Sequence, residues 1–420
     1  MWGRSQIWGC PTEQEHMQSR LIIVEPGHFH ATLLQRDMYP WLDKRVAVYA
    51  PLGPELLDYL GRIAAFNARK ENPTAWELDI HTSHDPMSAM LGEHRGNIVV
   101  FTGKNRTKID RILAALRAGL NVLADKPWII TSSDLPKLEE AIRLTRQKKV
   151  AAYDIMTERY EITSQLQREL VSDREIFGEA QGVKARSVHN VMKVVAGAPL
   201  RRPAWFFDIA EYGEGLADVG THVVDLVQWT LFPDQLIDWR KDVKITRGRR
   251  WPLVLTREQF ARVTGENRDR DLEYFCNNSV EYALRGVPVE LEIVWDWEAP
   301  PGAGDVYEAS FRGSKARVEI RQGAAERHVP ELYVVPGSAA VERRVAALQL
   351  RWPGVAVVKS QGEMRIAVPD KYRVGHEAHF AQVTNRFVDY VNAPETMPAW
   401  EDAFMMAKYY VSTKGVEVAQ

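Results

Sequence analysis

Short apolar runs punctuate the first third of the chain. Residues 21–24, 46–49, 78–81, 97–101, 121–124 and 150–153 each span four or five positions. Between them the apolar residues recur at helical spacing. In 55–67, Leu56, Leu57, Leu60 and Ile63 share one side, and further helices fit 31–38, 87–91, 109–118 (ended by Gly119) and 135–148. Short apolar strands alternating with helices predict a parallel sheet covered on both faces, the doubly wound α/β arrangement.

The pattern changes near residue 155. Helices at 159–171 and 218–231 are followed by strand-like runs at 280–284, 287–297, 305–312, 316–321, 331–335, 345–351, 355–359 and 363–368. Few helices separate these runs, so the second part reads as α+β with a large, mainly antiparallel open sheet. The polar stretch 239–273 reads as an exposed excursion. From His376 the pattern is helical again, with Phe380, Val383, Phe387, Val388 and Val391 in phase. The expected division is a tail at 1–20, an α/β domain at 21–153, an α+β domain at 154–375 and a helical segment at 376–420.

Composition narrows the classes. The 420 residues carry a net charge of −2, which offers nucleic acid or an anionic membrane no general attraction. Two cysteines, Cys10 and Cys276, argue against a disulfide framework or a zinc cluster. Thirteen tryptophans fit core packing and also carbohydrate stacking. No apolar run reaches membrane-spanning length. The first 20 residues lack the apolar stretch of a secretion signal, so Ile7-Trp8-Gly9-Cys10 is a poor lipoprotein site and a cytoplasmic protein is expected.

Three segments carry candidate chemistry. Val24-Glu25-Pro26-Gly27-His28-Phe29-His30 follows the first strand, where a dinucleotide loop would hold G-x-G-x-x-G. Only Gly27 fits; Glu25 and His30 stand where glycines are usual. His28 and His30 also leave a loop metal site open. Asp125-Lys126-Pro127 sits at the carboxyl end of a strand, where doubly wound sheets bind ligands. Pro127 holds Lys126 extended, and the peptide between them can be cis. A surface lysine fits that segment equally well. In Gly213-Glu214-Gly215-Leu216-Ala217-Asp218-Val219-Gly220-Thr221-His222-Val223-Val224-Asp225, helical spacing puts Asp218, His222 and Asp225 on one face. That is an acid/base pair, a capped helix with a satisfied histidine, or an Asp/His/Asp metal site.

The last two segments resemble the paired signatures of the Gfo/Idh/MocA family of oxidoreductases, G-K-x-V-x-x-E-K-P and G-x-L-x-D-x-G-x-H-x-x-D. The resemblance runs from about residue 21 to 420. It implies a Rossmann domain binding NAD, with NADP possible, and a C-terminal helix returning toward that domain. It implies a carbohydrate or polyol substrate and a homo-oligomer, dimer or tetramer, built through the open sheet. Lys126 would contact nicotinamide and substrate hydroxyl, His222 would be the base, and Asp218 would orient substrate or tune His222. Gly27, His28, Phe29, His30, Thr102, Gly103, Asn105, Asp125 and Lys126 would line the cofactor, with no metal.

Glu158, Arg159 and Tyr160, together with Arg202, Trp205, Asp208 and Glu214, are the substrate-binding candidates. Several positions depart from the family pattern. Asp125 replaces glutamate, Lys108 stands where histidine is frequent, and Tyr49-Ala50-Pro51-Leu52-Gly53 lacks the acidic residue that grips the adenosine ribose. The expected reaction is oxidation of a secondary hydroxyl of a sugar, glycoside or cyclitol, with glycoside to keto-glycoside favoured. A redox-assisted glycoside hydrolase or lyase with tightly bound NAD is the alternative, and a non-catalytic sugar or nucleotide sensor the third.

Overall fold

The computed structural model describes residues 19–195 and 198–419. The Ile7–Cys10 segment and the expected tail before Ser19 lie outside the described residues. The first sheet has six parallel strands: β1 Leu21–Val24, β2 Arg45–Ala50, β3 Glu77–Thr82, β4 Ile98–Phe101, β5 Asn121–Ala124 and β6 Ala152–Asp154. Their order is β3-β2-β1-β4-β5-β6, the doubly wound Rossmann order. The central strands are apolar at every position, because helices cover both faces. The register aligns Val24 with Tyr49 and Phe101, and Phe101 with Ala124. The loops that follow these strands therefore open along one edge of the sheet.

The second sheet has nine strands. In sheet order they are 243–255, 272–284, 287–298, 180–192, 306–313, 317–321, 331–335, 363–367 and 356–360. Pairing is antiparallel except between Val287–Glu298 and Ala180–Met192, which run parallel. Helices Ile162–Val171 and Gly220–Leu231 cover one face.

Three expectations need correction. Residues 345–351 are not a strand: helix Ala339–Leu348 buries Ala340, Val341, Val345 and Leu348 at helical spacing. The stretch 239–273 is no excursion, because Val243–Leu255 is the edge strand of the sheet and Arg257–Thr264 a helix with a Thr256/Gln259 capping box. Its polar residues face solvent from a sheet edge. Strand Ala180–Met192 was not expected at all, although it lies in the middle of the sheet.

The C-terminal helices join the two parts. Helix His376–Asn392 packs Phe380, Val383, Phe387 and Val388 into the core of the first domain. Helix Ala399–Ala419 is shared: Met405, Met406 and Tyr409 face the first domain, while Phe404, Ala407 and Val411 face the second. No described helix is long and apolar enough to cross a membrane.

Candidate functional site

The loop edge of the parallel sheet meets the covered face of the large sheet in a cavity of about 790 Å³. Lys126 enters it immediately after β5, across a cis Lys126–Pro127 peptide. Its ammonium group pairs with the Asp218 carboxylate from the second domain, and both side chains are buried. Burial alone would raise the Asp218 pKa; the Lys126 charge and hydrogen bond outweigh it and hold the carboxylate below its usual range.

His222 lines the same cavity. Its Nδ1 is buried and has no hydrogen-bond partner among the described residues. Burial, and then the charge of Lys126, push its pKa down to about 3, so the imidazole is neutral. The expected shared face of Asp218, His222 and Asp225 does not form. The helix starts at Gly220, so Asp218 precedes it and turns to Lys126, while Asp225 accepts two hydrogen bonds from Arg159. This divergence also dissolves the proposed Asp/His/Asp metal site.

Asp125 is the hub beneath the cofactor loop. Lys108, fully buried, donates to its carboxylate and, at 3.0 Å, to its carbonyl oxygen. The other carboxylate oxygen meets His30 Nδ1 at 3.0 Å and lies 3.3 Å from His28 Nδ1. Burial lowers the pKa of both histidines. Ligand-type atoms of His28, His30 and Asp125 lie within 4.8 Å of one another. A divalent ion there would face the positive charges of Lys108 and Lys126, so the group is better described as a hydrogen-bond network.

A second crevice of about 140 Å³ continues from this loop, lined by Gly27, Glu55, Gly103, Arg111 and Trp205 among others. A Cβ on Gly103 would lie 2.9 Å from the Glu25 carbonyl oxygen, and one on Gly27 3.1 Å from the Trp205 ring. The two glycines thus let the loops after β1 and β4 and the Trp205 ring pack closely together. Glu25 lines the crevice as well, and its carboxylate pairs there with Arg111. The helix after the loop, His30–Leu34, has only five residues.

The remaining candidates divide. Phe29, Glu158 and Arg202 line the large cavity. Thr102 is buried beside the loop, its hydroxyl 3.5 Å from the His28 carbonyl oxygen. Asn105 is a domain joint, donating to the Tyr212 carbonyl oxygen at 2.7 Å. Trp205 lies in the crevice, not over the cavity, and donates to Glu55 at 2.7 Å. Four residues stand outside the cavity. Arg159 is buried between Asp225 and Glu401. Tyr160 packs against the first-domain core. Asp208 caps the short helix Ile209–Tyr212. Glu214 is buried on Asn278 and Arg250, where it supports the glycine turn against strand Leu272–Leu284.

Sequence reasoning missed Glu55, His376 and the pair His189 and Asp305. Glu55 stands in the first turn of the helix after β2, just beyond the turn searched for an acidic residue. His376 opens its helix and also lies 3.7 Å from the Glu158 carboxylate. His189 lies on the unexpected strand.

Residues 166–420 match the family described as "Putative oxidoreductase C terminal domain". The chain belongs to that oxidoreductase family. A solved structure described as a "putative oxidoreductase" from Parabacteroides merdae is 41% identical, with a TM-score of 0.91 over 96% of this chain and 97% of that one. The fold is also shared with myo-inositol 2-dehydrogenase from Lactobacillus plantarum (15% identity, TM-score 0.58, 96% and 97% covered). Levoglucosan dehydrogenase in complex with NADH shares it too (12%, 0.62, 96% of each chain). No curated protein matches the chain significantly.

Proposed function

We propose that this chain is a Gfo/Idh/MocA-type oxidoreductase that uses NAD to oxidise a secondary hydroxyl of a sugar, glycoside or cyclitol, with glycoside to keto-glycoside favoured. One observation carries the reading: the Lys126–Asp218 pair and a neutral, unpartnered His222 line one cavity at the carboxyl ends of the parallel strands. The crevice beside it, at the carboxyl ends of β1 and β4, is where the pyrophosphate of a dinucleotide would lie along the backbone of Gly27 and Gly103. Bound there, the nicotinamide supplies the hydride acceptor.

The chain's own residues handle the proton. Burial beside Lys126 keeps the His222 imidazole unprotonated in the resting site, so its lone pair is available and the hydroxyl proton moves to it only as the hydride leaves. The Lys126 ammonium favours the developing alkoxide and returns to Asp218 afterwards. The nicotinamide enzymes of the same fold that act on inositol and levoglucosan support the substrate class. We also propose a homo-oligomer through the open sheet, to be checked by light scattering.

Native mass spectrometry for bound NAD, followed by a glycoside panel monitored at the nicotinamide absorbance, tests the reading. Reduction of NAD by a glycoside supports it. Glycosidic cleavage without net cofactor turnover would replace it with the redox-assisted hydrolase.

A further inference from the structure

We propose that His189, Asp305 and Lys193 form the wall that recognises the non-reacting part of the substrate, and that this substrate is an uncharged glycoside rather than a sugar phosphate or sugar acid. This rests on the oxidoreductase reading for which carbon reacts, but not for what binds.

The wall is built by strand register. Ala180–Met192 pairs with its neighbours so that His189 stands opposite Trp295 and Ser187 opposite Tyr307. Alternation puts Ser187 and His189 on the same face, the one lining the cavity. The Asp305 carboxylate is held from four directions. It accepts from the Asn190 backbone at 3.0 Å, from Asn190 Nδ2 at 3.3 Å and from Lys193 Nζ at 2.7 Å, and it lies 3.1 Å from His189 Nδ1. His189 Nε2 reaches the Ser187 hydroxyl at 3.1 Å. Together these bonds keep Asp305 ionised and rigid. The three side chains are 24%, 28% and 32% exposed for His189, Asp305 and Lys193, so a ligand in the cavity can reach them. The four bonds fill the acceptor sites of Asp305, so the carboxylate serves to fix the His189 ring and the Lys193 ammonium, and these present the wall's donors to the hydroxyls of a sugar.

Charge decides the class. The cavity wall carries four cations, Arg36, Lys126, Lys193 and Arg202, and five carboxylates, Glu158, Glu161, Asp218, Asp305 and Glu377. Lys126 is paired with Asp218, Lys193 with Asp305, and Arg36 with Glu377 at 3.0 Å. The buried Arg202 donates to the carbonyl oxygens of Val191 and Asn190 and stacks on Phe206 and Trp295. Phosphate is held best by cations that have no acidic partner already beside them. Three of the four cations face a carboxylate and Arg202 is held by backbone carbonyls, so a phosphate or carboxylate would compete with an existing partner at each of them. A neutral polyol displaces none. Ligand pockets run to about 300–1,000 Å³, and 790 Å³ lies well up that range, which leaves room beyond one ring for an aglycone or second sugar.

The test combines calorimetric binding and NAD-reduction kinetics on the full chain. The probes are cellobiose, trehalose and salicin, with glucose 6-phosphate and glucuronate as anionic probes. At least one neutral glycoside should bind, and neither anion should bind more tightly than it. In Asp305→Asn the KM or Kd for that glycoside should rise at least about tenfold. The kcat and the affinity for NAD should stay within about twofold of wild type on the same scale. Lys193→Met serves as the second variant should Asp305→Asn fail to fold, and Lys193→Arg should recover part of the loss. Tighter binding of either anion, no binding of any neutral glycoside, or unchanged glycoside affinity in both variants would overturn the proposal. Glycoside binding that weakens in Asp305→Asn without any NAD reduction would uphold the wall and reject the oxidoreductase reading. NAD reduction by anions alone would do the reverse.

Discussion

The ammonium of Lys126 and the carboxylate of Asp218 lie ninety-two residues apart in the chain and form a buried pair across the two domains. The pair fixes where the cation stands relative to His222. Asp218→Asn keeps the shape but removes the charge that holds Lys126. Turnover should fall by about tenfold to a hundredfold with little change in NAD affinity. Stopped-flow measurement of NAD reduction separates the two effects. An unaltered kcat would mean that Lys126 needs no counter-ion to act.

His222→Ala should lower turnover by about 100-fold or more while sparing cofactor binding, since general bases contribute ~10²–10⁴-fold. Steady-state kinetics beside a fluorescence titration with NAD checks this. A variant with full activity would sink the base assignment.

His222 also gives a pH signature. Its folded pKa is depressed, to about 3, by burial and Lys126. Above pH 6.5 the residue is neutral in both folded and unfolded chains and contributes no pH dependence. Between about pH 6.5 and 3 the unfolded chain takes up a proton that the folded chain refuses, so stability falls as pH falls. His28 and His30 act in the same direction. His222→Phe should therefore lose less Tm than wild type between pH 7 and pH 5. Thermal melts across that range provide the comparison.

Lys108 and Asp125 are both fully buried. Lys108→Met would leave the Asp125 carboxylate without its cation and cost about 3–5 kcal/mol, as breaking buried pairs does. Lys108→Met combined with Asp125→Asn should recover part of that loss. Urea unfolding of the single and double variants measures both. Equal destabilisation in the two would show that the charge is not the cause.

Gly103→Ala pushes a Cβ to 2.9 Å from the Glu25 carbonyl oxygen, whereas Gly53, at the next loop, has open space around it. NAD affinity should fall on the order of tenfold in Gly103→Ala and hold in Gly53→Ala, a difference of about 1.4 kcal/mol. Quenching of tryptophan fluorescence by NAD reports it. Matching affinities would place the cofactor elsewhere.

The parallel sheet was legible in the chain's pattern, because short apolar runs such as Ile98–Phe101 alternate with helices, as strands buried on both faces do. The sequence also singled out Lys126, Asp218 and His222 through two segments that resemble the family's signatures, although the shared helical face read from their spacing did not form. It could not assign partners. Arg159 and Glu214 read as substrate ligands because a buried charge is informative only with its counter-ion, and Asp225, Glu401 and Arg250 are distant in sequence. The polar strand edge at Val243–Leu255 and the central Ala180–Met192 were illegible for a related reason: a strand's stability lies in its neighbours. Only the tertiary structure brought Asp305 to His189, gave the loop at Gly27 a second glycine in Gly103, and closed the cavity in which one neutral imidazole is left unpaired.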